Sequence, residues 1–294
     1  MKVGRNIALA FLLYVTTLPF ITLAQFTFIT NNDAITIVGY TGSSGVIIIP
    51  SITNSLPVTR IGNSAFFASR LTSVSIPNSV TSIGTNAFSD CASLSSVIIS
   101  NNLISVENGA FSLCYHLTNA VLTGITYVGD HAFEDCLSLT NTMILDTITN
   151  IGNYAFEDCP RLTGVVIGTN VTSIGSGAFD GCAKLRTITI PSSVTNIGGG
   201  AFRGCISPIN VDTNNPVYSS VSGVLFDKNQ TTLIHFPCGF LGNYIITNSV
   251  TRIMSSAFSG CMNLIGITIP DSVTNLGDGT FYNCTSLTTV LIGN

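Results

Sequence analysis

Charge is scarce in this chain. Lys, Arg, Asp and Glu make up 8% of its 294 residues, with ten basic residues against 14 acidic ones. A polyanion such as nucleic acid needs a basic surface, so nucleic acid is not an expected partner. Beyond the first two dozen residues no apolar run is long enough to cross a bilayer. The chain also lacks a Cys-x-x-Cys pair and the alternating acidic ligands of a calcium loop, and His116, His131 and His235 share no repeat position. No metal and no cofactor are expected. A nucleophile beside a base is not assembled either, since Cys114 next to His116, or Cys238 next to His235, supplies neither a cleft nor an oxyanion hole. An enzyme is therefore not expected.

What is present is apolar and small. Hydrophobic residues reach 46%, and Gly, Ser, Thr and Asn fill most of the remainder, which suits strands and turns. Residues 1–24 carry the pattern of a secretory signal: Lys2 and Arg5, an apolar run from Ile7 to Val15, then Thr22-Leu23-Ala24 as a small-residue cleavage site. An N-terminal membrane anchor is the alternative, but Thr16, Thr17 and Pro19 interrupt the run. No cysteine follows the cleavage point to take a lipid. Removal of the signal leaves a chain starting at Gln25 with a net charge near −6 and no membrane span, placed outside the cell or on its surface.

An internal repeat dominates the remainder. Ala-Phe pairs begin at 65, 87, 110, 132, 155, 178, 201 and 257, and Thr280-Phe281 continues them, at steps of 22 or 23 residues with one gap of 56. Periods in this range mark a solenoid. Within each unit L-x-x-V-x-I alternates as a half-buried strand does, and Pro77, Pro191 and Pro270 end such strands. The V-T-x-I-G segment then turns two apolar residues inward, and its corner glycine is expected to supply a backbone angle that other residues resist. A-F-x-x-C is expected to form one short helical turn with Ala, Phe and Cys inward. The fold class is thus a β-dominated repeat solenoid, a rod of about nine coils with short helical turns.

L-x-x-V-x-I-P-x-S-V-T-x-I-G-x-x-A-F-x-x-C resembles the bacterial BspA-like leucine-rich-repeat family from about Val46 to Asn294. Local departures are Ser69 for Cys, Glu107 and Ser255 for the corner Gly, and Thr280 for Ala. The resemblance implies a secreted or cell-surface protein on a non-catalytic solenoid, several relatives being adhesins that bind host or neighbouring-cell proteins.

The chain divides into the signal (1–24), an N-terminal β cap (25–45), repeats (46–211), an inserted β-hairpin (212–246) and further repeats (247–294). F-T-F-I-T and A-I-T-I-V around Asn31-Asn32-Asp33 give the cap a hairpin pattern, and Val224–Phe226 with Thr231–Phe236 give the insertion one. The insertion hairpin either projects from the rod or lies along it. No cap is visible after Val290-Leu291-Ile292, so either the natural chain continues beyond Asn294 or the last strand invites end-to-end self-association, the former being the favoured expectation.

Eight cysteines, Cys91, Cys114, Cys136, Cys159, Cys182, Cys205, Cys261 and Cys284, occupy one repeat position and are expected to stack as a ladder of buried thiols. The coil spacing of about 4.8 Å exceeds the roughly 3.8 Å between the Cβ atoms of a disulfide. Cys238 falls outside that ladder, as a possible free thiol. On the strand face, Ile98, Val121, Met143 and Val166 form an outward apolar strip bordered by Asn119 and Asn141. Such strips mark contact sites, so the strip is the candidate surface for a protein or glycan partner. A structural spacer is the competing role.

Overall fold

A computed structural model describes residues 25–99, 102–122, 124–144, 147–186 and 188–293. The chain winds as a β-solenoid of about 11 turns. That exceeds the count of Ala-Phe units because the N-terminal hairpin and the insertion also contribute rungs. The signal-like segment 1–24 lies outside the described residues.

Each coil has three sides. The V-T-x-I side forms the most continuous sheet, in which two-residue strands such as Ser82–Ile83, Ser105–Val106, Tyr127–Val128 and Asn150–Ile151 pair in parallel, each with the next coil. The L-x-x-V-x-I side divides into short sheets, among them Asn119–Leu122, Asn141–Ile144 and Gly164–Val166, which pair in register. Threonine explains the repeat's polar letters. Thr149, Thr172 and Thr195 donate their hydroxyls to the backbone carbonyls of Thr126, Thr149 and Thr172 one coil earlier, and Thr118, Thr140 and Thr163 form a second such file.

The third side is the Ala-Phe-x-x-Cys stretch, which contains no helix. Alternate amides leave the coil: Asn86, Phe88 and Asp90 donate to the carbonyls of Asn108, Ala110 and Ser112, and Ala87, Ser89 and Cys91 close turns on the third residue before them. A helix would keep every N–H within the coil. Overlapping turns with left-handed φ every fourth residue, as at Asn86 (54°) and Asp90 (58°), serve both sets of bonds instead.

The corner glycine has a different reason from the one its position suggests. Gly84, Gly129, Gly152, Gly175, Gly198 and Gly277 have no left-handed φ. A Cβ at Gly152 would lie 2.4 Å from the Gly129 carbonyl carbon, and one at Gly175 2.5 Å from the Asn153 nitrogen. Close approach of successive backbones excludes a side chain there.

Inside the column, Phe66, Phe88, Phe111, Phe133, Phe156, Phe179 and Phe202 are fully buried. Consecutive rings lie 4.8–5.8 Å apart and within 9° of parallel. Beside them, each ladder thiol donates to the carbonyl of a phenylalanine in the preceding coil, Cys114 to Phe88 and Cys136 to Phe111 for example. Phe26–Asn31 and Ala34–Tyr40 form an antiparallel hairpin, Ala34–Tyr40 joins Leu56–Ile61 in parallel, and Phe26 meets Phe66 edge-on.

The insertion is a three-stranded meander built into the column. Tyr218–Val221, Val224–Asp227 and Thr232–His235 pair antiparallel in sequence, and Thr232–His235 continues in parallel to Arg252–Ile253. Leu225 belongs to the upstream core and Val224 and Phe226 to the downstream one, so a single alternating strand joins two apolar clusters. It does not project from the rod, because its alternate residues are needed as core.

Candidate functional site

On the strand face the register places the expected strip in rows. Val121 lies opposite Met143, and Met143 opposite Val166, with Asn119, Asn141 and Gly164 aligned beside them. Ile98 pairs with Ser75 and Ser75 with Ile48. Ile98 and Val166 are each 62% exposed, and Asn119 is exposed. The side chains of Val121, Met143 and Asn141 lie outside the described residues. The same row continues toward both ends: Ile48 is exposed, as are Ile245 and Leu291, which flank Thr268. In the sequence, the gap of 56 and the shorter first coils hide the equivalence of these three. The hydroxyls and amide of Ser75, Thr189, Asn210 and Thr268 interrupt the apolar row.

The cysteines are a packing device with one exception. Cys91, Cys114, Cys136, Cys159, Cys182 and Cys205 are buried free thiols, and Cys284 is half-buried. Burial pushes the Cys91 thiol up to about 12 and those of Cys114, Cys136 and Cys182 well above the usual range, so none is a nucleophile near neutrality. Cys261 is not a free thiol, nor is Cys238 off the ladder, since the two form a disulfide at a sequence separation of 23. That separation is one repeat step. Cys238 also bonds through its amide to the Cys205 carbonyl, which places it on the ladder between Cys205 and Cys261. The pair lies 4.1 Å apart at Cα, closer than regular stacking allows, because the coil carrying Cys238 is shortened.

The histidines separate. His116 lies at the surface with Nδ1 2.6 Å from the Ala92 carbonyl oxygen. His235 is buried, its Nε2 has no hydrogen-bond partner among the described residues, and burial lowers its pKa to about 3. It is a neutral core residue, and Cys238 is bonded to Cys261 instead of facing it as a nucleophile. His131 differs, because the turn face brings its Nδ1 to 3.1 Å from Glu134, and ligand atoms of His131, Glu134 and Glu157 lie within 4.8 Å of one another. The signal was available, since Glu157 stands one repeat step beyond Glu134. Asp180 and Arg203 extend this file and are ion-paired. Burial, then the carboxylates of Asp180, Glu134 and Asp158, raise the pKa of Glu157.

Comparison with known proteins gives a consistent answer. A family model described as a BspA type leucine rich repeat region matches in six copies over residues 44–163, 149–240 and 235–294. A leucine-rich cell surface protein from Faecalibacterium prausnitzii is 35% identical, with a TM-score of 0.84 over 91% of this chain and 75% of that one. A leucine-rich repeat protein from Bacteroides ovatus shares the fold at 24% identity and a TM-score of 0.69, over 92% and 70% of the two chains. So does the pneumococcal vaccine antigen PcpA, at 20% identity and a TM-score of 0.65, over 92% and 68%. No curated protein matches the chain in sequence. Among the described residues no helix is long and apolar enough to cross a membrane.

Proposed function

From the premise that the chain belongs to the BspA-type leucine-rich-repeat family, we propose that it is a secreted or cell-surface binding protein that recognises a protein or glycan partner through its strand face. The carrying observation is the apolar row on an otherwise Ser, Thr and Asn surface, with Ile98 and Val166 each 62% exposed. A parallel sheet presents successive side chains at fixed spacing on a rigid support, so a partner meets them without an ordering cost at the site. Apolar contact supplies the affinity and the asparagine border the direction. The surface placement draws support from the named location of the Faecalibacterium relative. A binding role in place of catalysis fits thiols that are buried or bonded and a histidine held neutral in the core.

The test replaces Ile98, Val121, Met143 and Val166 together with Ser and compares the two proteins on an array of purified extracellular-matrix proteins and glycans. Loss of the wild-type signals with an unchanged melting temperature is the expected result. Equal signals from both proteins would reject this surface.

A further inference from the structure

The turn face is regular until the insertion enters. In several upstream coils an Asn or Asp side chain accepts from the backbone one coil on, Asn108 from the Asp130 amide, Asp130 from Asn153 and Asn153 from Ser176. The last such bond upstream is the one to Ser176, and downstream Ser255 accepts from the Asp278 amide. The coil between these points is short. Leu233 pairs with Ile253, and Cys238 with Cys261, yet three residues fewer separate Leu233 from Cys238 than Ile253 from Cys261. Phe236 keeps its place by donating to the Ala257 carbonyl. Two of the three residues omitted therefore lie before Phe236, at the outer corner.

A notch of about 390 Å³ opens at that corner, a size in the range of small-molecule sites. A Cβ on Gly199 or Gly200 would meet no atom within 4 Å. Gly177 in the coil before holds the Tyr154 ring over its Cα, and His131 stacks behind that ring at 5.1 Å, so Tyr154 forms a fixed aromatic wall. The other walls are Glu157 with the Asp180–Arg203 ion pair, and Ser255 with Ser256. Upstream, the residue matching Gly200 donates its N–H to the next coil, as Gly177 does to Gly199. Gly200 itself has no such partner among the described residues.

We propose that this notch binds one neutral saccharide unit. A sugar ring presents hydroxyls that both donate and accept, beside an apolar C–H face. The notch offers carboxylate acceptors, a guanidinium and a backbone N–H as donors, two serine hydroxyls, and an aromatic ring for the C–H face. An anion would meet Glu157 and Asp180, while the guanidinium of Arg203, paired with Asp180, leaves donors and acceptors side by side that a neutral polyhydroxylated ligand can bond together. The notch lies on the turn face, so it stands apart from the strand-face reading and does not depend on it.

Saturation-transfer NMR of the full chain with glucose, galactose, mannose and N-acetylglucosamine at millimolar concentration tests this. At least one sugar gives a transfer signal that Gly200→Tyr abolishes. That change copies Tyr154, the equivalent left-handed position, where φ is 54°. Gly199→Phe, at a residue of ordinary φ, fills the same space and has the same effect. Changing Ile98 and Val166 to Ser leaves the signal in place. Absence of transfer from all four sugars, or a signal that survives both filling substitutions in folded protein, overturns the proposal.

Discussion

The column upstream of the insertion and the one downstream are made from the same repeat and pack differently. From Phe66 to Phe202 the rings lie within 9° of parallel, whereas Phe236 to Phe258 opens to 27° and Phe258 to Phe281 to 35°. Upstream, the rings from Phe88 to Phe179 sit between coils of near-equal length and have no reason to rotate. Downstream, Phe236 sits in the shortened coil and also meets Phe240 and Tyr244, so its ring turns to share contacts. Parallel stacking thus accompanies the unbroken run of repeats and is lost beyond the insertion. Energetically the rod should behave as nearest-neighbour terms with one weak junction at residues 224–236.

Phe133→Ala removes a fully buried ring from the regular column and should lower stability by about 3–5 kcal/mol in urea denaturation. Phe281→Ala, at a half-buried ring, should have a clearly smaller effect. Equal losses would dissolve the contrast between the two regions. Next in size is the corner. Gly152→Ala drives a Cβ into the preceding backbone at 2.4 Å and should destabilise by at least about 1–3 kcal/mol. Gly199→Ala, facing the notch, should stay within about 0.5 kcal/mol of wild type by thermal melting. A costly Gly199→Ala would show the notch to be packed.

A pH dependence sharpens the junction itself. Burial holds the pKa of His235 at about 3 against an ordinary 6.5, so as pH falls the unfolded chain takes up that proton first. Its contribution is complete above pH 6.5 and drains by up to about 1.4 kcal/mol per pH unit down toward pH 3. Burial raises the carboxyl groups of Glu157 and Asp180, which act in the opposite direction, so the informative quantity is the difference from His235→Phe. That variant should lose less stability between pH 6.5 and 4 when melted at both values, and parallel losses would remove His235 from the account.

Much of this was legible beforehand. A fixed step of 22 or 23 brings every Phe and Cys of the repeat to one place, and equal coils can stack only as a column, so the buried file and the thiol ladder followed from spacing. Cys238 was misplaced because a 33-residue offset from Cys205 conceals that it stands one step before Cys261. Inward offsets of 0, 1 and 4 fit a helical turn, and nothing in one coil's letters reveals that alternate amides bond to the next coil. The convergence of His131 with Glu134 and Glu157 depends on which residues of adjacent coils face one another.

Sequence by itself determined the architecture, because periodic apolar residues on a chain of near-constant coil length have one way to bury all their faces. Tertiary structure alone decided what happens where the period fails. There the coil spacing must be met by whatever backbone is available, and the outcome, a bonded cysteine pair, a buried histidine whose Nε2 has no hydrogen-bond partner among the described residues, and an open corner beside Gly199 and Gly200, depends on contacts between coils that no single repeat encodes.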